Sequence, residues 1–233
     1  MPVIDLSNVL FGWGSAKPVL DIPELVVHRG ETVFIRGPSG SGKTTLLGLL
    51  GAVLTPSAGQ VRVLGTDLAS LTPVQRDHFR ARHLGFIFQM FNLIPYLSVV
   101  DNVTLPLSFA RDRLEAVQRA GRSPQQEAER LLGHLGLKDP ALLERPVTGL
   151  SIGQQQRVAS ARALIGSPEL VIADEPTSAL DADTRSAFIR LLFNECEAAG
   201  STLVFVSHDR SLESLFDRCL SLNDINRAAG EAH

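Results

Sequence analysis

The sequence predicts an α/β fold with a largely parallel sheet, and three observations carry that expectation. Short β-rich runs alternate with helical patterns along most of the chain. Leu170-Val171-Ile172-Ala173 and Leu203-Val204-Phe205-Val206 are continuous apolar runs, as strands covered on both faces require. Thr32-Val33-Phe34-Ile35-Arg36 reads as a short strand that enters a glycine-rich turn directly.

The remaining elements follow in order. Ile4 to Phe11 and Gln60 to Val63 read as strands of an antiparallel edge region. In the middle, Ser123-Pro124-Gln125-Gln126 offers an N-cap serine, a proline at the first helical position and a capping-box glutamine. Ala128, Leu131, Leu132 and Leu135 then share one helical face, and Gly136 stands where a helix would stop. A mainly helical subdomain is therefore expected over 92–160, inserted between core segments 1–91 and 161–225. The small, polar residues 226–233 are expected to fray. No internal repeat or low-complexity tract is present.

Composition bounds the function. At 233 residues the chain is long enough for one well-buried domain, or a core with an inserted subdomain. With 44% hydrophobic and 20% charged residues it has the balance of an ordinary globular protein. A net charge of −3 gives no global attraction to nucleic acid, and no nucleic-acid partner is expected. Uninterrupted apolar runs stay well short of the ~18 residues a membrane span needs, so a membrane role must come through a partner. The start, MPVIDLSNVL, lacks a basic region followed by an apolar run, and no secretory signal is expected. Cys196 and Cys219 have no metal-type spacing and read as two reduced thiols.

The chemistry begins at Gly37-Pro38-Ser39-Gly40-Ser41-Gly42-Lys43-Thr44, which satisfies the P-loop pattern in full. A strand precedes it and the helical run Thr45-Leu46-Leu47-Gly48-Leu49-Leu50 follows. Glycines let the backbone curl so that successive N–H groups face phosphate oxygens, and the helix start adds its positive dipole end. Lys43 is expected to reach the β- and γ-phosphates of ATP, and the Thr44 hydroxyl to ligate Mg²⁺. Leu170 to Ala173, followed by Asp174-Glu175-Pro176, is an apolar strand ending in two adjacent carboxylates, the Walker B pattern. Asp174 is expected to orient Mg²⁺, directly or through water. Glu175 is expected to face the attacking water as general base or orienter.

With these motifs in place the chain resembles the nucleotide-binding subunit of an ABC transporter, and the matching motifs run in family order from near residue 4 to residue 209. The resemblance implies a P-loop NTPase core of RecA-like type with a mixed sheet, an antiparallel β edge region and an inserted helical subdomain. Ile4 to Trp13 resembles the opening strand whose final aromatic stacks on adenine, with Trp13 where the family more often has tyrosine. Thr45, next to Thr44, joins the nucleotide-binding set. Phe86-Ile87-Phe88-Gln89 resembles the Q-loop, whose glutamine contacts Mg²⁺ or the attacking water. Leu150-Ser151-Ile152-Gly153-Gln154 resembles the signature motif, which contacts the γ-phosphate held by the other subunit. Ile152 departs from the pattern, where glycine is usual, and is expected to point away while Ser151, Gly153 and Gln154 do the work. Ser178-Ala179-Leu180-Asp181 resembles the D-loop, and Ser207-His208-Asp209 the switch histidine. His78, His83, His134 and Cys219 match nothing and are left structural.

The resemblance also implies partners. Each P-loop would face the signature of a second copy or a homologous ATPase, so that two ATP molecules glue a dimer. Leu84 to Leu107 resembles the subgroup serving lipoprotein release, macrolide-type tripartite export and the related cell-division pair. There the ATPase is a separate chain that works through an integral membrane permease, in some systems with a periplasmic adaptor. The expected location is the cytoplasmic face of the inner membrane, as a peripheral subunit. Met90, Phe91, Leu93, Ile94, Pro95, Tyr96 and Leu97 are apolar for a free loop, and some are expected to receive a short permease helix. Two other readings stand beside transport. One is a regulatory ATPase that pulls on a membrane partner without moving substrate. The other is a soluble ABC ATPase acting on DNA or ribosomes, although the second cassette, coiled-coil arms or zinc modules usual there do not fit this length.

Overall fold

The computed structural model of the protein describes residues 1–14, 17–178, 180 and 182–228. In chain order the elements are β1 (Pro2–Phe11), β2 (Leu20–His28), β3 (Thr32–Arg36), α1 (Lys43–Leu50), β4 (Ala58–Val63), β5 (Thr66–Asp67), α2 (Pro73–His83), β6 (Leu84–Ile87) and α3 (Val99–Thr104). There follow α4 (Arg111–Arg119), α5 (Pro124–His134), α6 (Pro140–Leu143), α7 (Ile152–Leu164), β7 (Leu170–Asp174), α8 (Ala182–Ala199), β8 (Thr202–Ser207), β9 (Arg218–Ser221) and α9 (Leu222–Ile225). The chain divides into two compact units, one formed by Met1–Arg80 with the chain from Thr202 onward, the other by Ala81–Ser201.

The first unit contains the antiparallel sheet β2-β1-β4-β5. Alternation decides which face is buried: Ile4, Leu6, Leu20 and Ile22 are fully enclosed, while Asp5 and Asp21 are not. β2 lies at the sheet edge, where Pro23 removes no ladder hydrogen bond. β3 pairs in parallel with β8 on one side and β9 on the other. Every residue of β8 is buried, as its unbroken apolar run requires. Phe34 of β3 stacks on Phe205 of β8 at 6.0 Å and meets Phe216 at 5.1 Å, so aromatic rings fill the space beside the central strand.

In the second unit β6 and β7 pair in parallel, and α3, α5 and α7 pack on one another. α5 opens with the capping box read from the sequence: the Gln126 amide donates to the Ser123 hydroxyl at 3.2 Å and the Ser123 amide to the Gln126 side chain at 2.9 Å. It closes at Leu135, and Gly136 takes the left-handed conformation with φ +85. Ala128, Leu131, Leu132 and Leu135 form its buried face.

Two buried charges hold this unit together. Arg113 of α4 is only 4% exposed and aims its guanidinium at carbonyls. It donates to Ala163 O at 3.0 Å, Ile165 O at 2.8 Å and Leu84 O at 3.2 Å, tying the end of α7 to the start of β6. Burial lowers its pKa to about 10, so it stays charged at neutral pH. The Glu127 side chain, 7% exposed, accepts from Arg130 at 2.8 Å and Arg122 at 2.5 Å. Arg130 and His134 in turn reach Glu195 of α8 at 3.2 and 2.6 Å. Burial works against the Glu127 carboxylate, but Arg130 and Arg122 outweigh it and hold the carboxyl below its ordinary 4.5.

Arg113→Met should leave several buried carbonyls without a donor and cost about 3 kcal/mol or more, read as a lower denaturation midpoint. Arg113→Lys should recover little of this, because one ammonium cannot span three carbonyls. Glu127 has a depressed folded-state pKa, so its stabilisation is present at neutral pH and is lost as pH falls through that pKa. Glu127→Gln should therefore cost about 3 kcal/mol at neutral pH. The parent and variant stability curves should converge in acid, as denaturant titrations across pH will show.

Candidate functional site

In the first unit, β3 carries the chain to the phosphate-loop candidates. Val33, Phe34 and Ile35 are fully buried, which fixes the point where Gly37 begins to turn. Gly40 and Gly42 have φ of +79 and +96, and Gly42 is the N-cap of α1. A side chain at Gly37 would meet Ser41 Oγ at 2.5 Å, and one at Gly42 would meet Leu20 Cδ2 at 2.9 Å. Gly42 is thus required for both its space and its dihedrals, while at Gly37 only space is at issue.

The loop fits a phosphate in three respects. α1 has no side-chain cap and no acidic residue in its first turn, so its leading N–H groups remain available. The Ser41 hydroxyl oxygen is buried and has no hydrogen-bond partner among the described residues. Lys43 folds back over the loop and donates to Gly37 O at 2.7 Å and Pro38 O at 2.9 Å, an ammonium held where negative charge is wanted. Pro38, Ser39, Gly40 and Thr44 are exposed and Thr45 is half-buried. His208 is exposed at the end of β8 and shares with Gly37, Pro38, Arg36 and Arg210 the lining of a cavity of about 480 Å³. Trp13 is 59% exposed, its ring set edge-on to Phe11 at 5.1 Å, so one aromatic face is open to solvent.

In the second unit, β7 ends at Asp174, half-buried, and Glu175 follows with 8% exposure and φ +46. A left-handed glutamate at a strand end is strained backbone, held here by the Ser178 amide donating to Glu175 O at 3.2 Å. β6 delivers Gln89, which is exposed, and Phe86 and Phe88 stack at 5.4 Å just before it. Phe91 and Asn92 then take φ of +58 and +49. Ser151 is the N-cap of α7 in a second capping box: its hydroxyl accepts from the Gln154 amide at 3.3 Å, and the Gln154 side chain accepts from the Ser151 amide at 2.9 Å. Ile152 is 56% exposed and sits in the first helical turn without positive φ, so glycine is not required there. A side chain at Gly153 would make only ordinary contact, 3.7 Å from Leu180.

Asp181, the residue expected in a D-loop, lies outside the described residues, as do Ala179 and residues 229–233 of the tail. Among the described residues no group of three or more His, Cys, Asp or Glu side chains forms a metal cage. No helix of the described residues is long and apolar enough to cross a membrane. The sequence reading missed Arg162 of α7, which donates to Phe91 O at 2.5 Å and Asn92 O at 2.6 Å. Its only sequence signal is that it falls in the helix following the signature motif.

A family model described as "ABC transporter" matches residues 20–178. The chain is 38% identical over 223 residues to the lipoprotein-releasing system ATP-binding protein LolD of Porphyromonas gingivalis, covering 95% of this chain and 97% of that protein. It is 42% identical over 207 residues to the macrolide export ATP-binding/permease protein MacB of Syntrophobacter fumaroxidans, covering 89% of this chain but spanning only 28% of that longer relative. Among solved structures, the ATP-binding cassette MJ0796, a dimer in a post-hydrolysis state bound to ADP and Pi, is 33% identical and superposes with a TM-score of 0.81. That likeness covers 97% of this chain and 95% of the other. On the match to residues 20–178 and the near-full-length likeness to LolD and MJ0796, the chain belongs to the ABC transporter family and is one of its ATP-binding cassettes, which as a class are ATPases.

Proposed function

We propose that the chain hydrolyses ATP as one half of a nucleotide-bridged dimer and so drives an integral membrane permease. The observation that carries this reading is the phosphate loop itself: an uncapped helix start, a buried Ser41 hydroxyl without a partner among the described residues, and Lys43 seated on the loop carbonyls. When bound, ATP supplies the γ-phosphoryl group and Mg²⁺ neutralises its developing charge. In this reading Gly37 to Gly42 present backbone N–H groups to the phosphates, and Lys43 and Thr45 add donors. Thr44, Gln89 and Asp174 are the proposed oxygen donors to Mg²⁺. Glu175 takes or orients the proton of the attacking water, and His208 holds the γ-phosphate end. Trp13 stacks on adenine.

The signature residues Ser151, Gly153 and Gln154 serve the partner's nucleotide in this proposal. The capping box takes the Gln154 amide and leaves the Ile152 and Gly153 amides and the Ser151 hydroxyl proton for an anion. Asp181 is assigned to the dimer interface. The names of the relatives support a permease of the lipoprotein-release or macrolide-export kind, and a periplasmic adaptor reached through it is part of the proposal alone. The corresponding place is the cytoplasmic face of the inner membrane. Met90 and Tyr96, 81% and 80% exposed, are the proposed contacts for that permease.

Glu175→Gln should slow hydrolysis about a hundredfold or more, the contribution of a positioned base, and accumulate an ATP-bound dimer in size-exclusion chromatography. Extracted gently from membranes with ATP and Mg²⁺, this variant should carry a multi-span membrane protein with it. Recovery of ribosomes or DNA instead would overturn the transport reading. Trp13 is the chain's single tryptophan, so ADP titration should change its fluorescence directly. Trp13→Ala should weaken ADP binding about fivefold or more while Trp13→Tyr retains it, in keeping with the usual strength of base–aromatic stacking. A flat fluorescence titration would remove the adenine assignment.

A further inference from the structure

Gln89 leaves β6 and enters two successive left-handed residues, Phe91 and Asn92, neither of them glycine. A bulky aromatic rarely holds this conformation unless its surroundings impose it. The local hydrogen bonds are short-range: the Phe91 amide donates to Phe88 O at 2.9 Å and the Asn92 amide to Met90 O at 2.6 Å. What points outward from the turn is its pair of carbonyls, and one side chain takes both. The Arg162 guanidinium donates through Nη2 to Phe91 O and through Nη1 to Asn92 O, across 70 residues of sequence.

We infer that Arg162 is a positioning residue for Gln89, its planar fork clamping the left-handed turn that follows the glutamine. This rests on the role proposed for Gln89 above. An arginine suits the task because two donors in one rigid plane meet two carbonyls at once, which a lysine cannot do. Burial lowers the guanidinium's pKa, which fits a group that has left water for backbone oxygens.

The platform beneath the clamp is rigid for independent reasons. A side chain at Gly85 of β6 would lie 2.3 Å from Ala163 O, so the last turn of α7 rests directly on that strand. Arg113 bridges the same two elements by donating to Ile165 O and Leu84 O. Gln89 is therefore fixed from both flanks within one unit. Upstream it continues a strand packed on α7, and downstream its turn is gripped by a residue of α7. A side chain that must meet an ion or a water within tenths of an ångström gains from such double anchoring.

Arg162→Gln, which shortens the side chain and removes the fork, decides the matter. The expected result is a fall in kcat of about tenfold or more with the KM for ATP little changed, and a higher Mg²⁺ concentration for half-maximal activity. Gln89→Ala combined with Arg162→Gln should be no slower than Gln89→Ala alone. Asn92→Gly, which takes positive φ without help, should restore part of the kcat lost in Arg162→Gln. Amide hydrogen exchange gives a readout independent of catalysis: Phe91 and Asn92 should lose protection in Arg162→Gln while the amides of α5 keep theirs. Unchanged protection at Phe91 and Asn92 overturns the clamp. Full additivity with Gln89→Ala, or loss of protection throughout the unit with no rescue by Asn92→Gly, reduces Arg162 to a packing residue. Should Gln89→Ala itself leave kcat unchanged, the role of Gln89 fails, and exchange still decides whether Arg162 holds the turn.

Discussion

Helices leave their first N–H groups without partners, and this constraint organises both functional regions of the chain. Two helix starts meet it in opposite ways. At α7, Ser151 and Gln154 exchange hydrogen bonds in a complete capping box, so the helix is stable before any ligand arrives. At α1, the N-cap is a left-handed glycine with no side chain to offer. The unsatisfied donors there are surrounded by a buried hydroxyl and a lysine that finds only carbonyls. An uncapped start is a local loss of stability, and in exchange the backbone keeps its dipole for a phosphate. β3, enclosed among Phe205, Phe216 and its neighbouring strands, supplies the stiffness that lets the loop keep this shape.

Much of this was legible in the residues. β3, β7 and β8 emerge within a residue of where continuous apolar runs put them, because strands covered on both faces leave no polar position to blur their ends. The α5 capping box was equally readable, since cap chemistry is local and needs only the spacing of Ser123 and Gln126. β2 was not, because Pro23 and the flanking acidic residues break the alternation. Only its position at the sheet edge makes the proline acceptable.

The buried charges were illegible for a different reason. Arg113, Glu127 and Arg162 are charged residues in helices, where exposure is the ordinary expectation, and the partners of the two arginines lie far away in sequence. Arg113 meets carbonyls about 50 residues away, and Glu195 meets Arg130 across 65. Backbone conformation was similarly hidden. The motif reading placed Glu175 after the strand but gave no hint that it is left-handed. Conversely, the departure at Ile152 carries no dihedral cost, because position 152 is an ordinary first-turn residue without positive φ.

The seat of Lys43 bears on how the loop keeps its shape. An ammonium has three donors and no acceptor, and two of them rest on the carbonyls of Gly37 and Pro38. Those carbonyls belong to the loop, so the cation works as an internal strut across the opening of the curl. Take the strut away and two carbonyl dipoles face each other with nothing between them, next to a glycine-rich segment with wide conformational freedom. The loop is thus braced by one of its own side chains. A brace of this kind is a single flexible four-carbon arm, free to swing without any refolding of the backbone it spans.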